Sequence, residues 1–113
     1  MHELTIVQAL VDEAERHARE RGATAIRRLA LKIGELSGVE IAALESAYAT
    51  FRYPGVCADA ALEIERVPAR WECPRCEHVR APREPLMCAA CGAAMRLAAG
   101  DEIVLERIEM EVA

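Results

Sequence analysis

Two Cys-x-x-Cys pairs constrain what this chain can fold into more than any other feature of its sequence. Cys73 and Cys76 form the first pair, and Cys88 and Cys91 form the second after eleven intervening residues. Each pair can direct two sulfurs to one point, and two pairs complete the tetrahedral set of four thiolates that is typical of structural zinc. One pair alone also fits a redox dithiol or a disulfide, but two pairs at this spacing predict a zinc site. Four protein ligands leave no open position, so this zinc is expected to be structural rather than catalytic.

The composition is that of a small domain that a metal ion would help to stabilise. The 113 residues are enough for one compact domain with a small appendage. Hydrophobic residues make up 53% of the chain, but many are alanine and only 4% of residues are aromatic, so we expect a modest core. The net charge of -5 argues against a general nucleic-acid binder, which usually presents a basic surface.

The sequence shows no targeting or membrane segment. No basic stretch followed by an apolar one opens the chain, and no apolar run approaches the ~20 residues of a membrane span. We therefore expect a cytoplasmic protein with no membrane partner. Cysteines in that compartment are reduced, which favours metal binding over disulfides.

Apolar periodicity predicts two helices. The first is expected over residues 4–21, with Gly22 as its end. Ser37 and Glu40 have the spacing of a capping box, which predicts a second helix over residues 39–51 that Pro54 and its neighbours Tyr53 and Gly55 end. The apolar residues expected to face the core are Val7, Leu10, Val11, Ala14 and Ala18 on the first helix, and Ile41, Leu44, Tyr48 and Phe51 on the second.

Three stretches have the alternation of strands. They cover residues 25–33, 61–67 and 102–112, and the last is expected to place Ile108, Met110 and Val112 on one face. Residues 70–97 have no apolar period. We predict an α/β fold with two helices on a small three-stranded sheet, and a zinc-ribbon-like module inserted before the last strand. Residues 1–68 plus 99–113 would form the α/β domain, and residues 69–98 the zinc-binding module.

The first three residues, Met1-His2-Glu3, suggest a second metal site. The α-amine, the amide nitrogen of His2 and its ring Nδ1 can close fused five- and six-membered chelate rings, which suit a square-planar Ni²⁺ or Cu²⁺. A large second residue is expected to keep Met1 in place. The fourth donor stays open among the amide or carboxylate of Glu3, His17 and His78. A bare terminus also frays readily, so the tripeptide alone is weak evidence.

The remaining candidates have ordinary structural explanations. His78, two residues after Cys76, is predicted to be a solvated loop histidine, with accessory metal ligation as the alternative. His17 is expected on the helix surface near Glu13 and Arg21, and Cys57 as a buried or idle thiol.

The sequence gives little support to an enzyme. It has no nucleophile beside a base, no phosphate-binding glycine loop and no open metal site. The competing hypothesis is a zinc ribbon that binds nucleic acid or another protein. It would use the arginines of the cysteine-rich segment, Arg70, Arg75, Arg80 and Arg83.

These features together resemble the HypA/HybF family of nickel-incorporation proteins. The resemblance rests on four stretches: Met1–Thr5 (MHELT), Ile33–Val39 (IGELSGV), the two cysteine pairs, and the Glu-rich closing segment Ile103–Val112. It covers essentially the whole chain in the family's order. Two details depart from the family pattern: Ala89 rather than proline follows Cys88, and Gly92 rather than histidine follows the second pair.

The resemblance implies a nickel metallochaperone built of an α/β nickel domain and a zinc domain. Nickel, the transferred cargo, would bind at the amino terminus through His2, with Glu3 also needed, and zinc would bind the four paired cysteines. Family members work with a HypB-type GTPase and deliver nickel to the large-subunit precursor of [NiFe] hydrogenase. Some also supply nickel to urease and its maturation proteins.

Overall fold

The computed structural model describes residues 3–51 and 55–112, which form two helices and five strands. In chain order the elements are α1 (Glu3–Glu20), β1 (Ala23–Gly34), α2 (Ile41–Thr50), β2 (Ala61–Val67), β3 (Arg70–Glu72), β4 (Arg96–Ala99) and β5 (Ile103–Val112). A three-stranded sheet has the order β2-β1-β5, and β3 pairs with β4 in a separate two-stranded sheet. This confirms the predicted α/β class, with a zinc-ribbon-like module before the last strand. None of the described helices has the length and apolar character needed to cross a membrane.

The longest strand, β1, lies at the centre of the main sheet. It runs parallel to β2 and antiparallel to β5. Leu29, Leu31 and Ile33 are buried, as their alternation with polar residues predicts, because both helices pack over this face. We call α1, β1, α2, β2 and β5 together the α/β unit.

Helix α1 follows the prediction within one residue at each end. Its five predicted core residues are all buried, as expected for one apolar stripe on an amphipathic helix. The chain leaves the helix at Gly22, which has a φ of +64°, a backbone conformation that side chains disfavour.

Helix α2 is shorter than predicted, and the capping box is wrong. It begins at Ile41, and its N-cap Glu40 makes no side-chain capping hydrogen bond. The Ser37 hydroxyl instead accepts a hydrogen bond from the amide of Val39 at 3.3 Å, within a turn that precedes the helix. Leu44 is fully buried as expected, but Phe51 lies beyond the last turn and is exposed, contrary to prediction. Tyr53 and Pro54, predicted to end the helix, lie outside the described residues.

Strand β5 has a bulge that changes which side chains reach the core. Leu31 pairs with Leu105 whereas the preceding Ala30 pairs with Arg107, so Glu106 is the extra residue. Leu105, Ile108 and Met110 therefore pack against the core. Val112, predicted to share their face, is 59% exposed.

The face of the sheet opposite the helices is covered by ion pairs. Arg28 on the central strand lies 3.6 Å from Glu63 and 3.7 Å from Glu109, and Arg107 reaches the same two carboxylates. Opposite charges alternate across neighbouring strands, which favours pairing and keeps this face solvated.

The segment from β3 to β4, residues 70–99, forms what we call the cysteine module. Its small core contains Cys73, Cys88 and Met95, with Trp71 and Ala93 packed against them, and is separate from the core of the α/β unit. The two short strands were not predicted. The division into residues 1–68 plus 99–113 and residues 69–98 stays a prediction.

Candidate metal centre

The four paired cysteines converge on one point. The Sγ atoms of Cys73, Cys76, Cys88 and Cys91 all lie within 4.8 Å of one another, and those of Cys73 and Cys91 are 3.5 Å apart. A tetrahedral zinc with Zn–S bonds of about 2.3 Å requires sulfurs about 3.8 Å apart. All four are free thiols rather than disulfides, so this donor set fits a tetrathiolate metal ion.

The two cysteine pairs sit on equivalent backbone turns. The amide of Cys73 donates to the carbonyl of His78 at 2.9 Å, and the amide of Cys88 donates to that of Ala93 at 2.8 Å. The two bonds span the same number of residues and fold each pair back on itself, which directs both sulfurs inward.

Each turn also requires a left-handed residue directly after its second cysteine. Gly92 has a φ of +74° and donates its amide to the carbonyl of Cys88, and Glu77 occupies the corresponding place in the first turn with a φ of +60°. Glycine suits this conformation, because it has no Cβ to clash with the backbone. The role of Glu77 was missed, because only its position after the second cysteine indicates it.

Amide hydrogen bonds prepare one sulfur for the metal. The amides of Cys76 and Arg75 donate to the Sγ of Cys73 at 3.3 and 3.4 Å. Burial by itself raises the pKa of Cys73, but these bonds and those from Cys91 and Cys88 outweigh it and lower the pKa to about 6. The hydrogen bond with Cys91 and then burial raise the pKa of Cys76 to about 12. Cys73 therefore gives up its proton readily, whereas Cys76 retains a proton that metal binding must displace.

The cluster is buried on one side and open on the other. Cys73 and Cys88 are buried beside Trp71 and Met95, whereas Cys76 and Cys91 are exposed. The apolar contacts of Trp71 were also missed from the sequence, where a lone aromatic next to a cysteine has no periodic pattern to identify its role.

A polar network braces the loop between the two pairs. His78 Nε2 lies 3.1 Å from a carboxylate oxygen of Glu84, and Arg80 Nε donates to the Glu84 carbonyl at 2.6 Å. The hydrogen bond with His78 lowers the pKa of Glu84. His78 is thus a loop histidine with 40% of its side chain exposed, as expected, and it is paired with Glu84.

The arginines predicted for nucleic-acid binding are partly committed to contacts within the module. Arg80 bonds to Glu84, and Arg70 forms an ion pair with Glu72. These contacts reduce the positive charge available to a phosphate backbone.

The predicted amino-terminal site is only partly within the described residues. Met1 and His2 lie outside them, and Glu3 is the first residue of α1. A groove lined by Ile6 and Leu10 of α1 and by Leu31 and Ile103 shows that α1 begins at the end of the sheet where β1 ends and β5 starts.

His17 does not belong to the same site as Glu3. His17 is fourteen positions after Glu3, or about 21 Å along α1 at 1.5 Å per residue, so these two side chains cannot share an ion. It lies on the helix surface, 3.3 Å from Arg21 and 3.8 Å from Glu13, as predicted.

The fifth cysteine is apart from the cluster. Cys57 is 1% exposed in the core of the α/β unit. Burial, with a smaller contribution from the nearby charge of Glu15, raises the pKa of its thiol to about 11. It is the buried thiol that was expected.

Comparison with known proteins agrees with this arrangement. A model of the family described as hydrogenase/urease nickel incorporation, metallochaperone, hypA, matches residues 1–110. Hydrogenase maturation factor HypA of Shewanella sp. (strain MR-7) is 37% identical over 113 residues, covering 98% of this chain and 96% of the relative. The factor of the same name from Wolinella succinogenes is 37% identical over 114 residues, covering 98% and 96%.

Solved structures share the fold over the full chain. The solution structure of the Ni metallochaperone HypA from Helicobacter pylori is 33% identical, with a TM-score of 0.73 and complete coverage of both chains. A second solution structure of a HypA protein has a TM-score of 0.80 at 33% identity, covering 100% of this chain and 98% of that one. The family match and these likenesses extend over nearly the whole sequence, and the chain therefore belongs to the HypA family of hydrogenase/urease nickel-incorporation metallochaperones.

Proposed function

We propose that this chain binds one Ni²⁺ at its amino terminus, through Met1, His2 and Glu3, and hands it over during maturation of [NiFe] hydrogenase. The supporting observation is the family match, which starts at residue 1 and so includes this donor set. The amine, the amide and the imidazole supply three nitrogen donors in fused chelate rings, a geometry that Ni²⁺ favours. A metallochaperone binds and releases an ion without catalysis, so no catalytic residue is assigned.

The position of Glu3 supports a site that can also release its ion. Glu3 opens α1, and the first turn of a helix carries partial positive charge that disfavours a cation. The Glu3 carboxylate supplies negative charge in that turn and offsets this effect. Because the proposed donors are the first three residues of the sequence, transfer of the ion to a partner needs only a local rearrangement.

The cysteine cluster would hold a structural Zn²⁺ in this proposal. Four cysteine sulfurs within 4.8 Å of one another supply the ligand set of a closed zinc site. The ion would order the cysteine module rather than travel with the nickel, since no ligand position is left for exchange.

The proposed partners follow from the family. They are a HypB-type GTPase and the large-subunit precursor of [NiFe] hydrogenase, with urease maturation proteins as a second client. A cytoplasmic location goes with this proposal, because the zinc thiolates need a reducing compartment.

The test compares His2→Ala with His17→Ala. Both variants remove one imidazole, and His17 lies about 21 Å from the start of α1. Mass spectrometry first confirms that Met1 is retained. Ni²⁺ is then titrated by calorimetry at several pH values, and bound zinc is measured in each protein.

We expect one nickel per chain in the wild type and in His17→Ala, and loss of nickel binding in His2→Ala with zinc unchanged. Nickel affinity should rise with pH, since binding displaces protons from the amine, the imidazole and the amide. Equal nickel binding by both variants would exclude His2 from the site, and a lack of nickel binding by the wild type would refute the proposal.

A further inference from the structure

Three chain segments meet at the base of the cysteine module. They are the end of β1 at Gly34, the outgoing connection at Ala69, and the returning connection at Gly100. A Cβ on Gly34 would overlap the Gly100 carbonyl, and one on Gly100 would lie 2.5 Å from the Cα of Ala69. Gly100 also has a φ of +103°. Only glycine permits so close a stacking of three backbones.

The two residues after Gly34 bond to both connections. The amide of Glu35 donates to the Val67 carbonyl at 2.8 Å, just before the outgoing connection, and the amide of Leu36 donates to the Gly100 carbonyl at 2.7 Å. The Glu35 carboxylate reaches further and accepts the amide of Ala69 at 3.2 Å. One short segment therefore holds the chain where it enters the module and where it leaves.

Little else attaches the module to the α/β unit. The two cores are separate, and within the described residues no helix or strand of the α/β unit packs extensively against β3 or β4. The molecule is accordingly elongated, 56 Å long by 27 and 17 Å across. A unit attached through so small a contact is free to reorient unless specific bonds hold it.

We propose that Gly34, Glu35 and Leu36 form a latch that fixes the orientation of the cysteine module, with the Glu35 carboxylate as the part that can open. Its bond to the Ala69 amide is exposed to water, so water can replace it at low cost. The backbone bonds of Glu35 and Leu36 hold the two connections in place, so opening of the side-chain bond frees the orientation of the module and not its attachment.

The latch lies close to the start of α1. Ile103 pairs with Ile33 beside Gly34 and also lines the groove under Ile6 of α1. The orientation of the module therefore decides which of its side chains face the amino-terminal end of the α/β unit. A partner that took the place of the Ala69 amide would release the module from that orientation.

The test uses the full-length zinc-loaded protein and three variants: Glu35→Ala, Glu35→Gln and Gly100→Ala. The glutamine retains an oxygen acceptor for the Ala69 amide, so it is the matched control. Residual dipolar couplings in a weakly aligned medium report whether the α/β unit and the module share one alignment tensor. Zinc content and the amide spectrum of each unit show that both stay folded.

Glu35→Ala and Gly100→Ala should lose the common tensor, whereas Glu35→Gln should keep it. A wild-type tensor in Glu35→Ala would overturn the role of the carboxylate, and a wild-type tensor in Gly100→Ala as well would overturn the latch altogether. Loss of the common tensor in Glu35→Gln would show that charge, not the hydrogen bond, holds the module, and would refute the proposed contact. None of these readouts involves nickel.

Discussion

Substitution of Leu29 by alanine tests whether the two cores of the molecule unfold independently. Leu29 is fully buried at the middle of the central strand, opposite Leu62 on one side and Ile108 on the other. Removing such a side chain leaves a cavity between the sheet and the helices. Leu→Ala substitutions at sites of this kind cost about 3 kcal/mol.

That cost converts directly into a denaturation midpoint. A unit of this size has an m-value in urea of about 1.5 kcal/mol per molar, so the midpoint should fall by about 2 M. In the described part of the chain both helices lie in the α/β unit, so far-UV circular dichroism follows that unit. Trp71 is the only tryptophan and packs in the core of the cysteine module, so its fluorescence follows the module.

We expect Leu29→Ala to lower the urea midpoint followed by far-UV circular dichroism. The urea midpoint followed by Trp71 fluorescence should stay unchanged. Leu4→Ala is the matched control, because it removes the same atoms from a half-exposed position on α1. It should lower the free energy of unfolding by less than about 0.5 kcal/mol. If both transitions moved together in Leu29→Ala, the two cores would be one cooperative unit, and the reasoning from their separation would be refuted.

Two further predictions concern the cysteine module. Removal of zinc by a chelator, or by Cys73→Ala, should change Trp71 fluorescence and leave the helical circular dichroism unchanged, because the metal would order only this module. Loss of the helical signal on zinc removal would contradict this prediction. The pKa of Glu84 is lowered chiefly by its hydrogen bond with His78, so the pairing stabilises the fold above the ordinary carboxyl pKa and is lost as pH falls through the lowered value. In an NMR titration of the side-chain carboxyl, His78→Ala should return the Glu84 pKa toward its ordinary value, and an unchanged midpoint would show that the histidine is not the cause.

The elements that could be predicted from the sequence are those in which apolar and polar side chains alternate with the period of the element. Helix α1 and strand β1 each bury one face and expose the other, so the period of apolar residues identifies both. The convergence of the four cysteines was predictable for a different reason, since the spacing within each cysteine pair fixes the turn locally. Neither required knowledge of distant contacts.

The errors arose where distant contacts decide the local structure. Ser37 could cap a helix or close a turn, and the Ser37 amide donates to the Gly34 carbonyl in the turn that β1 and the module connections hold in place. The bulge at Glu106 interrupts the alternation of β5, and its position depends on pairing with β1. Strands β3 and β4 are too short to show a period, and Glu77 occupies a left-handed position where glycine would be the expected residue.

The closeness of Ala69 and Gly100 makes the cysteine module an insertion whose two ends coincide. Arg70 pairs with Ala99 next to this point. The module therefore leaves and rejoins the α/β unit at nearly the same place, as a short connection from β2 to β5 would. Insertions with adjacent ends are tolerated because they impose no stretch on the host. The register of the main sheet, set by β1 on both sides, is therefore independent of how long the inserted segment is or which ion it carries.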